Sequence, residues 1–288
     1  MVHCRGLNRI YLCISNKDGQ HDVDKAVLTL EKLLQNSGIE VSVGLEGLKK
    51  DSGLQKENGL SESCQDYLVI GDDDLIDERG VRYAVDIGIS SCYRGGAPFV
   101  IYDIEDIDEQ YINLVWTRKC KRPLVIAQTQ RLIIREMSID DLDGLYELYD
   151  SLKTCPYIEQ LYAREKEEEF ERKYIENMYG FFGYGLWLVF LKDTGKLVGR
   201  VGIENREIDG ETVQELGYLV DARYQKKHIA WESCQAVLAY AKNQLCLRQI
   251  YTCIHMGNKK SIALAEKLGF KAYAMDINGM NIYKSILL

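Results

Sequence analysis

The chain has no run of eighteen or so apolar residues and no charged-then-apolar opening stretch, so neither a membrane span nor secretion is expected. It lacks any excess of basic residues. Against 36 Lys and Arg stand 44 Asp and Glu, a formal net charge of −8. An acidic chain without a basic stripe is a poor nucleic-acid binder and suits a cationic partner. None of the nine cysteines (4, 13, 64, 92, 120, 155, 234, 246 and 253) has a Cys-x-x-Cys neighbour, and none clusters with the four histidines (3, 21, 228 and 255). No metal site is therefore expected. The cysteine number is odd, and the favoured reading is reduced thiols serving as small apolar residues in a cytoplasmic protein.

Of the 288 residues, 46% are apolar and 28% charged, a globular composition. That length predicts two domains. Residues 1–128 carry a net charge of −6 and residues 129–288 a net of −2. The first half reads as strands alternating with helices. Strands are predicted at Arg9–Ser15, Ile39–Leu45, Tyr67–Ile70 and Phe99–Asp103. A helix is predicted over Asp22–Ser37, capped by Asp22 and ended by Gly38. Another is predicted from Asp72-Asp73-Asp74 to Ile87, stopped by Gly88, and a last one over Asp108–Lys119. Lys49–Gln65 reads as a loop with one turn of helix. The expectation is an α/β domain over 1–125, an open, mostly parallel sheet covered on both faces.

Acids after a strand are where α/β enzymes hold magnesium or a nucleophile. The layout is faintly similar to a haloacid-dehalogenase-type core. That family needs Asp-x-Asp after its first strand, and here Ser15-Asn16-Lys17-Asp18 stands there. The trio is expected instead to cap a helix, and the domain to be non-catalytic. Lys119–Gln128, with Pro123 and the basic residues Arg118, Lys119, Lys121 and Arg122, reads as the junction.

The second half opens with a strand over Arg131–Met137 and a helix capped by Ser138 with Leu142, Leu145, Leu148 and Tyr149 on its apolar face. The next helix, Glu165–Met178, begins with an acid run read as a solvated face. Tyr157, Tyr162, Tyr179 and Tyr184 suit either a pocket or a core. A hairpin of Leu186–Lys192 and Lys196–Asn205 turns at Asp193-Thr194-Gly195, and Glu211–Val220 is the next strand. After a tight turn, Arg223–His228, a helix shows one apolar stripe through Ala230, Cys234, Val237, Ala241 and Leu245. A strand running through a turn into a helix aims several backbone N–H groups at one point, a seat for phosphate. Strand Gln249–His255, helix Lys259–Leu268 and a final pair turning at Asn278-Gly279 complete the chain.

Gln225-Lys226-Lys227-His228-Ile229-Ala230 resembles the acetyl-CoA pyrophosphate loop of the GNAT N-acetyltransferases, Gln/Arg-x-x-Gly-x-Gly/Ala, with His228 where the family prefers glycine. Glu215-Leu216-Gly217-Tyr218 is similar to the Glu-Leu-Gly-Tyr strand of the branch that includes the ribosomal-protein N-acetyltransferases. Asn258-Lys259-Lys260-Ser261 with Glu266-Lys267-Leu268-Gly269-Phe270, and Thr129 to Arg135 at the opening strand, resemble further blocks of that branch in the same order.

The resemblance implies an α+β acyl-CoA N-acyltransferase domain over 129–288, with a mixed, mainly antiparallel sheet. It implies transfer of acetyl from acetyl-CoA to a primary amine, on a small molecule or a protein N-terminus. It places the pantetheine arm at Leu219 and Val220 and the pyrophosphate on the N–H groups of Gln225, Lys226, Lys227, His228, Ile229 and Ala230. Asn258 and Ser261 would meet the pantetheine or the ribose-phosphate end. Glu215 is the candidate base, with an ion-pairing strand residue as the other reading. Many relatives carry a tyrosine seven residues after the asparagine, as acid for the thiolate. Ala265 stands there, leaving Tyr218 and Cys253 as stand-ins. That departure keeps a non-catalytic acetyl-CoA sensor as an alternative. Neither the acceptor nor the oligomeric state is set by the sequence.

Overall fold

The computed structural model describes residues 6–14, 23–53, 66–72, 75–76, 82–89 and 95–287. The chain divides into two compact units between Arg122 and Pro123.

The first unit holds β1 (Arg9–Cys13), β2 (Glu40–Val43), β3 (Tyr67–Gly71), β4 (Leu75–Ile76), β5 (Arg82–Tyr83), β6 (Ile87–Ile89) and β7 (Phe99–Ile101). Five of these form one sheet in the order β2-β1-β3-β6-β7, and every pair in it is parallel. Its helices are α1 (Val23–Leu34), α2 (Leu45–Gly53) and α3 (Glu109–Lys119). Because successive side chains alternate, Ile10, Leu12, Leu68 and Ile70 pack with α1 and α3, while Tyr11, Cys13, Tyr67 and Val69 pack on the other face with Leu48 of α2. Burial on both faces explains why these strands read as continuous apolar runs.

The helix expected from the acidic trio to Ile87 is not formed. β4 and β5 make a small antiparallel ribbon, and Ile87-Gly88-Ile89 is a buried central strand. Pairing with β3 and β7 outweighs the weak helical spacing of this stretch. Asp86 anchors it, its Oδ2 accepting from the Val69 N–H at 2.7 Å and from Lys119 Nζ at 2.8 Å. Gly88 is therefore a strand residue and stops no helix. Asp72 lies beside Cys13, whose thiol is pushed up to about 11 by burial and then by that carboxylate. Asp73, Asp74, Ser15–Asp18 and the proposed cap Asp22 lie outside the described residues. α2 is longer than the single turn expected there. Cys120 is disulfide-bonded, so the expectation of reduced thiols throughout fails at that residue. Pairing follows proximity in space, which cysteine spacing does not encode. Cys13, Cys155, Cys234, Cys246 and Cys253 are free.

The second unit is an eight-stranded sheet of β8 (Val125–Gln128), β9 (Leu132–Arg135), β10 (Leu186–Leu191), β11 (Leu197–Ile208), β12 (Glu211–Val220), β13 (Gln249–His255), β14 (Lys271–Ile277) and β15 (Met280–Ile286). The order is β14-β15-β13-β12-β11-β10-β9-β8, antiparallel except for β12 with β13. Val125–Gln128, read as part of the junction, pairs with β9 and forms the sheet edge. The helices are α4 (Leu142–Asp150), α5 (Arg164–Tyr174), α6 (Ile229–Asn243) and α7 (Lys259–Lys267), and α5 continues as a π-helical stretch, Ile175–Phe182. The core is apolar, with Trp187 and Tyr240 meeting edge to face at 5.4 Å. Of the predicted α6 stripe, Cys234, Val237 and Ala241 are fully buried. Asn278 and Gly279 both take positive φ, 54° and 80°, as a two-residue hairpin turn requires.

The acid run on α5 is not wholly solvated. Glu167 and Glu171 are buried, and Glu171 pairs with Arg200 at 3.0 Å. Burial raises the Glu171 carboxyl above the usual range despite that cation.

Candidate acetyl-coenzyme A site

The site begins where β12 and β13 part. Their only paired register is Glu215 with Tyr251, so from Leu216 onward β13 no longer pairs with β12. On its other side β12 stays paired with β11 to the end, Leu219 with Arg200 and Val220 with Gly199. A bare Cβ on Gly199 would lie 2.8 Å from the Leu219 carbonyl, so glycine permits this close approach. The outcome is a wedge whose β12 wall, beyond Glu215, is not paired with β13.

The wedge opens onto a turn. Asp221 caps a single 3₁₀ turn, Ala222–Tyr224, accepting from the Arg223 N–H at 2.8 Å. Burial would raise Asp221, but the Arg223 guanidinium and that N–H more than offset it and hold the carboxyl low. Lys226 and His228 then adopt left-handed backbone, φ 62° and 63°. His228 is the N-cap residue of α6, with no side-chain cap bond. The family's glycine at this place is explained by that φ, which a side chain adopts only with strain. The first N–H groups of α6 have no intrahelical acceptors and point out of the helix start with the positive end of its dipole.

Around the turn, Gln225 Nε2 donates to the Val220 carbonyl at 3.4 Å, and Lys260 Nζ to Gln225 Oε1 at 3.3 Å. The Lys227 ammonium lies 4.7 Å from the Tyr224 ring centre. Arg131 Nη2 donates to the Lys227 carbonyl at 3.2 Å and its guanidinium pairs with Glu232 on the first turns of α6. Thr129 Oγ1 donates to the same carboxylate at 2.5 Å. Thr129 and Arg131, singled out in the sequence only as strand residues, thus brace the turn.

A family model described as "Acetyltransferase (GNAT) domain" matches residues 131–271. Over 144 residues the chain is 33% identical to the uncharacterized protein YkkB of Bacillus subtilis (strain 168), covering 49% of this chain and 82% of that one. It is 28% identical over 144 residues to the uncharacterized N-acetyltransferase YnaD of the same organism, covering 50% and 81%. The chain belongs to the GNAT acetyltransferase family. It is an acyltransferase of the N-acetyltransferase type. Among solved structures it is similar to RimL, a ribosomal L7/L12 alpha-N-protein acetyltransferase in complex with coenzyme A, at 19% identity and a TM-score of 0.48, covering 57% of this chain and 98% of that one.

The remaining predicted residues divide between the two faces of the GNAT sheet. Glu215 stands at the closed end of the wedge. Its Oε2 lies 3.1 Å from Arg206 Nη1, and its Oε1 accepts from the Cys253 N–H at 2.9 Å. The Cys253 thiol is pushed up to about 12 by burial and then by the Glu215 charge, so it keeps its proton. Tyr218 faces the opposite way. It is half-buried, its OH donates to the Ser261 carbonyl at 2.9 Å, and burial raises the phenol well above its ordinary value. Asn258 Oδ1 accepts from the Ser261 N–H at 3.3 Å and caps α7. Ala265 is fully buried in the core and presents no polar group there. Of the four tyrosines, Tyr179 is core and donates to the Leu186 carbonyl, whereas Tyr162 is exposed and Tyr157 stacks on His255 at 4.9 Å. Tyr184 donates to Asn205 Oδ1 at 2.7 Å.

Proposed function

We propose that the second unit transfers the acetyl group of acetyl-CoA directly to a primary amine. The observation that carries this reading is the β12–β13 wedge opening onto a left-handed turn and the start of α6. Those features suit an extended pantetheine arm ending in a pyrophosphate. In this reading, backbone groups of Leu219 and Val220 hold the arm. The N–H groups of Gln225, Lys226, Lys227, His228, Ile229 and Ala230 hold the pyrophosphate, and Lys226 adds positive charge nearby. Asn258 and Ser261 line the α7 side. Acetyl-CoA supplies the activated acyl group when bound.

Glu215, at the closed end of the wedge, takes a proton from the amine, directly or through one water. Tyr218 ties β12 to α7 through Ser261 and so holds that wall of the wedge. A thiolate with an ordinary pKa of about 8.5 leaves without an assigned acid, consistent with Ala265. The acceptor class is a primary amine of a small molecule or a protein N-terminus. The first unit serves as a non-catalytic module whose negative charge favours cationic acceptors.

A free-thiol release assay with acetyl-CoA against polyamines, aminoglycosides and N-terminal peptides tests this reading. Glu215→Gln is expected to lower kcat by about 100-fold or more, the usual scale for general base catalysis, with acetyl-CoA affinity unchanged. A wild-type rate in that variant makes Glu215 structural.

A further inference from the structure

The register of β11 on β12 sets Glu204 directly opposite Glu215. Opposed residues of an antiparallel pair project from the same face, their Cβ atoms about 5 Å apart, and like charges so placed repel. The two carboxylates are balanced differently. Glu215 has Arg206 and the Cys253 N–H. Among the described residues Glu204 has one hydrogen bond, from the Tyr174 OH to Oε1 at 2.8 Å, and no ion-pair partner. Two further guanidiniums on this face are committed elsewhere, the buried Arg200 to Glu171 and Arg135 to Asp141. Tyr174 is fixed in turn, since its oxygen accepts from the Leu186 N–H at 2.7 Å. One oxygen of Glu204 is thus pinned and the other is left over. It belongs to a half-buried carboxylate with no counter-ion among the described residues, one strand away from the closed end of the wedge.

We propose that Glu204 receives the ammonium group of the acceptor through its second oxygen and so selects cationic amines. This assignment rests on the acetyl-transfer reading above. The division of labour is simple: Glu204 holds the charged amine, and Glu215 beside it removes the proton. Partial burial strengthens such a charge-assisted bond, and its loss leaves the amine without a compensating charge.

The test uses the full chain, with two amines. One is whichever ammonium-bearing compound of the panel turns over fastest. The other is hydroxylamine, which is small and uncharged at neutral pH. Glu204→Gln keeps an acceptor for the Tyr174 OH and removes only the charge. It is expected to raise KM for the ammonium acceptor by about 10-fold or more, with kcat within about 2-fold and acetyl-CoA affinity unchanged. Its kcat/KM for hydroxylamine should equal that of the wild type. Equal losses on both amines, or an unchanged KM for the ammonium acceptor, overturn the assignment. If Glu204→Gln melts early, Tyr174→Phe unpins the carboxylate and should still penalise the ammonium acceptor selectively. Parallel losses on the two amines in that variant overturn the assignment equally. A wild-type chain that binds acetyl-CoA but acetylates nothing in the panel overturns the acetyl-transfer reading, and this assignment with it. Normal wild-type turnover with no selective defect removes Glu204 alone.

Discussion

His228 carries a local penalty at the centre of the turn before α6. A left-handed non-glycine residue costs about 1–2 kcal/mol, and φ 63° places His228 in that region. His228→Gly is therefore expected to leave stability unchanged or raise it by up to about 1 kcal/mol, because glycine's larger unfolded-state entropy takes back part of the relief. His228→Ala keeps the strain and should gain nothing. Urea denaturation of the two variants decides this. Acid provides a second probe at this scale. Burial would raise Asp141, Asp221 and Glu232, but Arg135, Arg223 and the Thr129–Arg131 pair respectively more than offset it, so all three sit below their ordinary values. A carboxyl depressed in the folded state contributes stability above its unfolded pKa, about 4, that is lost as pH falls through the folded value. The melting temperature should fall below about pH 4, and Asp221→Asn should flatten that fall. The sequence showed the histidine in a glycine's place, but the φ that makes it matter is a property of the turn. It likewise showed Glu215 as a base or an ion-pairing residue, and the Arg206 contact came only with the strand register.

Among the elements, α5 departs furthest from its sequence. The run Glu165–Glu171 predicts a solvated face, yet Glu167 and Glu171 point inward because Arg200 on β11 awaits Glu171 there. Local charge patterning cannot reveal a partner 29 residues away. Removing one member of such a pair strands the other. Glu171→Leu alone should cost about 3–5 kcal/mol, whereas Glu171→Leu with Arg200→Met should recover most of the loss, as read in a double-mutant cycle by denaturant unfolding. A double variant as unstable as the single would show that the pair is not the unit. The elements that were legible were those with strong periodicity and clear turn residues, such as α6 and the Asn278-Gly279 hairpin. The helix expected from Asp72 to Ile87 gives way at its end to a strand because Ile87-Gly88-Ile89 is too short to show a period, and its strand identity comes from β3 and β7 beside it. β8 is not legible in the sequence for the same reason: an edge strand of four residues has little pattern of its own.

At the scale of the whole chain, two sheets of different kinds account for the two halves of the sequence. Parallel strands buried on both faces produce the continuous apolar runs before Arg122. Antiparallel strands and one parted parallel pair produce the mixed pattern after it. The second unit is the part that belongs to the GNAT acetyltransferases, and the central claim about it is that the parted strands and the turn after them hold acetyl-CoA. Calorimetric titration of the full chain with acetyl-CoA tests this most directly. Saturable binding at one site per chain is predicted, weakened by Gln225→Ala combined with Lys226→Glu. The absence of any heat of binding at millimolar ligand, with the chain folded, would contradict it.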